Sequence, residues 1–298
     1  MTSRRAETVG NLALYTRAAQ QSSARVIRGY STSFGMATRL FERRIRADVE
    51  NIYGFVRVAD EIVDGAAAEA GLDPAAQCGM LDRLEEETER ALQAGYSTNL
   101  VVHSFAVSAR SLGIGAELTA PFFASMRRDL NPTAFTVEEV RDYIYGSAEV
   151  IGLMCLQVFL EGVPCGSGQR TRLEEGARRL GAAFQKINFL RDLAVDWDGL
   201  GRNYFPGIDP ENLTEAQKLA LVADIDADLD FAAAVIPELP RGCRAAVAAA
   251  HGLFTELTER IRVTPAENLL RVRIRVPNAT KMRILLRAKT RSRVRRVP

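Results

Sequence analysis

Residues 47–64 read ADVENIYGFVRVADEIVD, and the order of apolar and polar residues in this stretch decides the fold class. Advancing about 100° per residue around a helix brings Tyr53, Arg57, Asp60 and Asp64 within about 60° of arc, while Val49, Ile52, Phe55, Val56, Val58, Ile62 and Val63 take most of the remaining circumference. A helix that is apolar almost all round is enclosed by protein, so its one polar stripe is expected to face an internal cavity. Asp60 and Asp64 are like charges at i and i+4. That arrangement costs a helix a few tenths of a kcal/mol, and more where water is excluded, unless a cation lies between them.

Residues 179–197, RLGAAFQKINFLRDLAVDW, repeat the design. Gln185, Asn188, Asp192 and Asp196 fall within about 80° of arc amid Phe184, Ile187, Phe189, Leu190, Leu193 and Val195. A lone pair of aspartates four apart more often marks a solvated face. Two copies on otherwise apolar helices instead point to two facing carboxylate pairs able to hold a metal cluster. Mg2+ takes hard oxygen ligands, usually one or two carboxylates completed by water and substrate phosphate oxygens. Arg57, Arg191 and Arg202 stand beside the acids, and guanidinium geometry suits phosphate. With no GxxxxGK[ST] loop and no GxGxxG turn after a strand, the pattern predicts a diphosphate-bearing substrate held through metal.

Outward from these stripes, helical periodicity runs from Ala18 onward, broken at Gly71–Pro74, Asn131–Pro132, Gly162–Gly168 and Gly199–Pro210. No alternating strand pattern persists. The expected fold is all-α: a single-domain bundle of roughly eight to ten helices around a central cavity, spanning 1–298. The residues before about position 20 and the basic tail 288–298 are expected to be flexible ends.

The chain has 298 residues, 47% hydrophobic and 26% charged, enough for a large core. No window approaches the roughly 18 uninterrupted apolar residues of a membrane span. Arg4 and Arg5 are followed by polar Glu7, Asn11 and Gln20, so no signal-peptide core is expected. Cys78, Cys155, Cys165 and Cys243 form no CxxC pair, which argues against zinc and a disulfide framework and fits a reducing cytoplasm. The only histidines, His103 and His251, exclude a multi-histidine metal site and leave isolated candidates for a Ser-His-Asp triad. Net charge is +2, but Arg283, Arg287, Lys289, Arg291, Arg293, Arg295 and Arg296 concentrate basic charge at the end of the chain. Such a tail could draw the protein to the anionic inner face of a membrane. No aromatic residues interleave with it, so no nucleic-acid partner is expected.

Four segments, in order, carry a resemblance: Tyr30-Ser-Thr-Ser-Phe34, YGFVRVADEIVD from Tyr53 to Asp64, Tyr143-Ile-Tyr-Gly146, and QKINFLRDLAVDWDGLGRNYFP from Gln185 to Pro206. Together they resemble the squalene and phytoene synthase family over about Ser22 to Arg287, and ADEIVDG and GSAEVIGLM look most like actinobacterial phytoene synthases. The resemblance implies head-to-head condensation of two prenyl diphosphates, geranylgeranyl diphosphate for phytoene, through a cyclopropylcarbinyl diphosphate. It implies Mg2+, with Mn2+ as a substitute, and no NADPH for phytoene. By motif position, Asp60 and Asp64 would hold metal at one diphosphate and Asp192 and Asp196, with Asn188, at the other. Arg57, Arg191, Arg202 and Arg273 would contact phosphate. Ser31 and Phe34 would belong to a flap, and Tyr53, Tyr143, Gln185, Asn188 and Tyr204 would line the cavity near the reacting carbons.

Departures from the family pattern fall at Glu61, at Tyr30 and at Glu149, and they put chain length and product geometry in doubt. Alternatives are a squalene or dehydrosqualene synthase using farnesyl diphosphate, a terpene cyclase acting on one diphosphate, and a non-catalytic scaffold homologue. The last would be expected to lose its metal-binding acids.

Overall fold

The first helix, α1 (Asn11–Tyr30), turns Ala19, Ser23, Ala24 and Ile27 inward. The computed structural model describes residues 10–131, 133–194 and 202–294. α1 starts well before Ala18, so residues 11–20 are not a loose end as expected. Their anchors are polar: the Tyr15 hydroxyl donates to Ser97 O at 3.0 Å, and Thr16 Oγ1 lies 2.9 Å from His103 Nε2. Leu12 and Leu14 face outward, so the sequence offered no apolar stripe there.

Twelve more α-helices follow among the described residues, and no strand: α2 (Thr32–Ala37), α3 (Arg43–Val63), α4 (Ala66–Glu69), α5 (Pro74–Ala94), α6 (Leu100–Leu112), α7 (Ala116–Asp129), α8 (Val137–Ile144), α9 (Val150–Leu160), α10 (Ser167–Arg191), α11 (Glu215–Val235), α12 (Arg241–Val263) and α13 (Asn278–Val294). The count exceeds the expected range because short helices and a π-helical turn subdivide longer runs. Side chains fix the starts. Asp73 accepts from Ala76 N with Pro74 in the first turn of α5, Asn99 caps α6, and capping boxes Thr136/Glu139 and Thr214/Gln217 open α8 and α11. Gly95 (φ 74°) and Gly113 (φ 69°) end α5 and α6 in the left-handed conformation that glycine adopts freely.

α3 is the central helix, packed by α1, α6 and α9. Phe55 stacks on Phe105 with centroids 4.0 Å apart, and Phe122 and Phe123 close the cluster. Burying each such ring stabilises the fold by roughly 1.5–3 kcal/mol. A second apolar cluster holds the Phe184/Phe254 stack at 3.7 Å and the Phe189/Tyr204 stack at 4.1 Å. Between the two lies a cavity of about 810 Å³, walled by α3, α9, α10 and α12 and roofed by the start of α2. That volume sits high in the roughly 300–1,000 Å³ range of small-molecule sites.

α8 and α9 form one continuous helical run through the π turn Tyr145–Glu149. An 18-residue window within Val137–Leu160 reaches a mean hydropathy of 1.5, long and apolar enough by average to cross a membrane, although Glu149 and Gln157 interrupt it and no uninterrupted apolar stretch of that length occurs. Half of that window is buried in the protein, and Ile151, Cys155 and Phe159 wall the cavity, so here the run is a core helix. Gly146 in the π turn faces the Pro121 carbonyl of α7 so closely that a Cβ has no room, and Gly181 of α10 meets the Ala148 carbonyl in the same way. α13 packs Leu285 and Ala288 beside Ala249 of α12 and continues helical into the segment assigned to a flexible tail. Arg295 and Arg296 of that tail lie outside the described residues.

Candidate active site

The first polar stripe faces the cavity as its spacing predicts: Tyr53, Arg57, Asp60 and Asp64 all line it. Burial, and then the Asp64 carboxylate one turn away, push the Asp60 carboxyl up to about 8, with Arg57 opposing the rise. Asp60 keeps a quarter of its side-chain surface, 26%, so it is open to the cavity while surrounded by protein. Arg57 Nη1 stands 3.8 Å from Asp60, its Nη2 is bonded to Glu61, and its guanidinium lies 4.5 Å over the Tyr30 ring. Glu61 therefore serves Arg57 and does not line the cavity.

The second stripe needs a correction. α10 ends at Arg191, and Asp192 sits at φ −102°, ψ 10°, in the bridge region where many active-site residues lie, so the helix expected over 179–197 is interrupted there, while residues 195–197 lie outside the described residues. Gln185, Asn188, Arg191 and Asp192 nevertheless all line the cavity. Asp192 Oδ1 accepts from Arg191 Nε at 3.0 Å and from Arg273 Nε at 2.8 Å. Asp196 lies outside the described residues, so its place in the site is an expectation only.

Ser31, Phe34, Tyr143, Tyr204 and Arg273 also line the cavity. Ser31 caps α2 by accepting from Phe34 N at 3.1 Å, and the Phe34 ring lies 6.3 Å from Tyr53 and 5.8 Å from Phe254. Arg202 reaches the cavity wall but differs from its expected role. Its guanidinium, 7% exposed, donates to Asp64 Oδ1 at 2.8 Å, to Val63 O at 3.0 Å and to Asp129 O at 3.2 Å. Three donors spent on protein acceptors make it a brace between α3 and α7 rather than a free phosphate ligand.

Asp129 and Ser147 were missed. Asp129 closes α7 after two arginines and before the Asn131–Pro132 break, which reads as an ordinary polar helix end. Its partners, Tyr143, Arg202 and Tyr204, are too distant in sequence for any helical-face argument to find. Ser147 reaches the cavity because the π turn presents it there.

Among the described residues, three of the four buried side-chain polar atoms that lack a partner belong to cavity residues: Arg57 Nε, Ser147 Oγ and Asn188 Oδ1. Buried polar groups are normally satisfied, so this concentration fits a polar ligand. Among the described residues no three of His, Cys, Asp and Glu gather closely enough to cage a metal ion. Mg2+ does not need such a cage, since it is usually held by one or two carboxylates and completed by water and phosphate oxygens. The repelling Asp60/Asp64 pair and the unpaired Asn188 oxygen are hard donors of the required kind.

The sequence model described as squalene/phytoene synthase matches residues 27–280. The chain belongs to the squalene/phytoene synthase family. As a family member it is a prenyltransferase. It is similar to a phytoene synthase of Pseudescherichia vulneris, 28% identical over 252 residues that cover 78% of this chain and 79% of that protein. A 15-cis-phytoene synthase of Paracoccus sp. is 29% identical over 281 residues, covering 89% and 88%. Among solved structures, a dehydrosqualene synthase in complex with ligand superposes with a TM-score of 0.75 at 20% identity, over 94% of this chain and 99% of that one. A squalene synthase from Alicyclobacillus acidocaldarius gives 0.70 at 21% identity, over 84% and 95%. At such identities the two structures establish the shared all-helical family fold.

Proposed function

We propose that this prenyltransferase condenses two molecules of geranylgeranyl diphosphate head to head, through a cyclopropylcarbinyl diphosphate, to phytoene, releasing two diphosphates for carotenoid biosynthesis. The observation that carries the reading is a largely apolar cavity with Asp60, Asp64 and Asp192 on its wall, in a chain similar to phytoene synthases along most of their length. Mg2+ held by Asp60 and Asp64, and by Asp192 with Asn188 and Asp196, would supply positive charge that stabilises departing diphosphate. Arg57, Arg191 and Arg273 bind phosphate oxygens and orient each diphosphate toward the metal-binding acids. Aromatic walls at Phe34, Tyr53, Tyr143 and Phe184 exclude water, so that the carbocation left by each departure closes a carbon–carbon bond or rearranges before it is captured. Each half-reaction ends by losing a proton, so no reductant is needed; squalene would require hydride from NADPH.

The test is purified protein with geranylgeranyl or farnesyl diphosphate, Mg2+, and NADPH present or absent. Phytoene formed from the C20 substrate without NADPH is the expected product. Consumption of farnesyl diphosphate alone, giving squalene or dehydrosqualene, would overturn the reading. Retention of the cavity-lining acids argues against a scaffold homologue.

The insoluble product favours a membrane-side location, and α13 offers a face for it. Met282 and Leu286, 49% and 59% exposed, lie one turn apart and are flanked by exposed Arg283, Arg287 and Lys289. Such a face suits an anionic bilayer surface. Flotation with anionic vesicles that is lost on neutral vesicles or at high salt supports this placement; equal recovery on both removes it.

A further inference from the structure

Asp129 joins four parts of the chain at the cavity wall. Its side chain is 3% exposed. Oδ2 accepts the Tyr143 hydroxyl at 2.8 Å, and Oδ1 accepts the Tyr204 hydroxyl at 2.9 Å. Its backbone carbonyl accepts Arg202 Nε, and the same guanidinium holds Asp64 Oδ1 and Val63 O at the end of α3. The two tyrosine rings lie 5.1 Å apart, with Tyr204 stacked on Phe189 and Phe135 edge-on to Tyr143, so neither ring can swing aside without breaking a packed aromatic cluster.

A carboxylate that accepts both phenolic protons keeps both O–H bonds directed at itself and enriches both rings in electron density. Electron-rich aromatic surface attracts cations. A phenol turned the other way would present an O–H, whose positive end opposes a carbocation. Burial raises the Asp129 carboxyl to about 6 while Arg202 and the two phenols hold it down, so the carboxylate form persists at neutral pH.

We propose that Asp129 is a positioning residue for the condensation: it fixes Tyr143 and Tyr204 as electron-rich walls beside the developing carbocation and, through Arg202, sets the place of Asp64. The inference rests on the prenyltransferase reading of the cavity and deepens it.

Asp129→Asn keeps the shape of the side chain but offers one acceptor and one donor, so one phenol must reverse its hydrogen bond. With the prenyl diphosphate that the wild-type protein consumes, whichever chain length that is, hydrocarbon formation should fall about 100-fold with KM within about threefold, as for a misplaced catalytic wall. The share of cyclopropylcarbinyl intermediate and water-captured alcohols should rise. In a Tyr143→Phe/Tyr204→Phe background, which has no phenols to orient, adding Asp129→Asn should leave the product ratio unchanged. A merely structural aspartate would lower the melting temperature and total turnover, leave the ratio at the wild-type value, and act additively with the tyrosine changes. Either a wild-type product ratio in Asp129→Asn or additive losses would overturn the proposal. Should Asp129→Asn fail to fold, Tyr143→Phe and Tyr204→Phe decide singly: wild-type ratios in both overturn it, and a shift toward alcohols supports it. Because the readout is a ratio on any accepted substrate, it stands apart from whether the product is phytoene.

Discussion

Arg273 Nε lies 2.8 Å from Asp192 Oδ1, tying the segment between α12 and α13 to the end of α10 at the cavity wall. Arg273 is half-exposed and lines the cavity, so its guanidinium can hold the aspartate and also meet an incoming phosphate. Arg273→Ala should raise KM for the diphosphate substrate about tenfold, the scale of one charge-assisted hydrogen bond, with a smaller change in kcat. Steady-state kinetics at fixed Mg2+ measures it, and an unchanged KM removes Arg273 from the phosphate site.

Asp60 on α3 and Asp192 just past the end of α10 both line the cavity. Asp60→Ala or Asp192→Ala should each lower turnover by about 10³-fold or more while far-ultraviolet circular dichroism stays that of the wild type. Substantial activity in either variant ends the metal-binding assignment.

Without metal, Asp60 makes stability depend on pH in a definite direction. Its carboxyl is raised from 3.8 to about 8, so between those values the folded protein holds a proton that the unfolded chain has released. The contribution is fully present below the unfolded value and is lost as pH rises through about 8. The metal-free protein should therefore melt at a lower temperature at pH 9 than at pH 6, Asp60→Asn should flatten that slope, and Mg2+ should restore more stability at the higher pH. An identical slope in Asp60→Asn would refute the assignment.

Mg2+ usually takes one or two carboxylates and relies on substrate phosphate oxygens to complete its shell, so Mg2+ alone should bind weakly. Calorimetry should show Mg2+ and inorganic diphosphate each strengthening the other's binding, by equal factors. Tight Mg2+ binding without diphosphate would point to a preformed cage instead.

Gly146 lies against the Pro121 carbonyl and the Ser125 hydroxyl with no space for a methyl group. Gly146→Ala should destabilise the fold by about 1–3 kcal/mol through overpacking. A denaturant titration checks it.

The sequence exposed the parts of the site that repeat along one helix. Tyr53, Arg57, Asp60 and Asp64 recur at helical spacing, as do Gln185, Asn188 and Asp192, and an apolar surround was enough to place both stripes on a cavity. What it concealed was built across the chain. Asp129 carries no local pattern, and its role exists only because Tyr143, Arg202 and Tyr204 converge on it from other elements. Arg202 looked like a phosphate ligand because it stands near acids in sequence; in space its donors go to Asp64, Val63 and Asp129. The early start of α1 was hidden for the same reason, since hydrogen bonds from Tyr15 and Thr16, not an apolar stripe, hold it.

The π turn at Tyr145–Glu149 acts as a phase shifter. One added residue in a helical turn rotates everything downstream by about 100°, so the register of α8, which aims Tyr143 at Asp129, is uncoupled from that of α9, which places Ile151 and Cys155 on the cavity wall. Excising a single residue there would rewind the run into an ordinary helix and swing one of those two walls away from the cavity. Chemistry and chain accommodation on this helix are thus tuned by a length change of one residue, a variation that substitution by itself cannot reproduce.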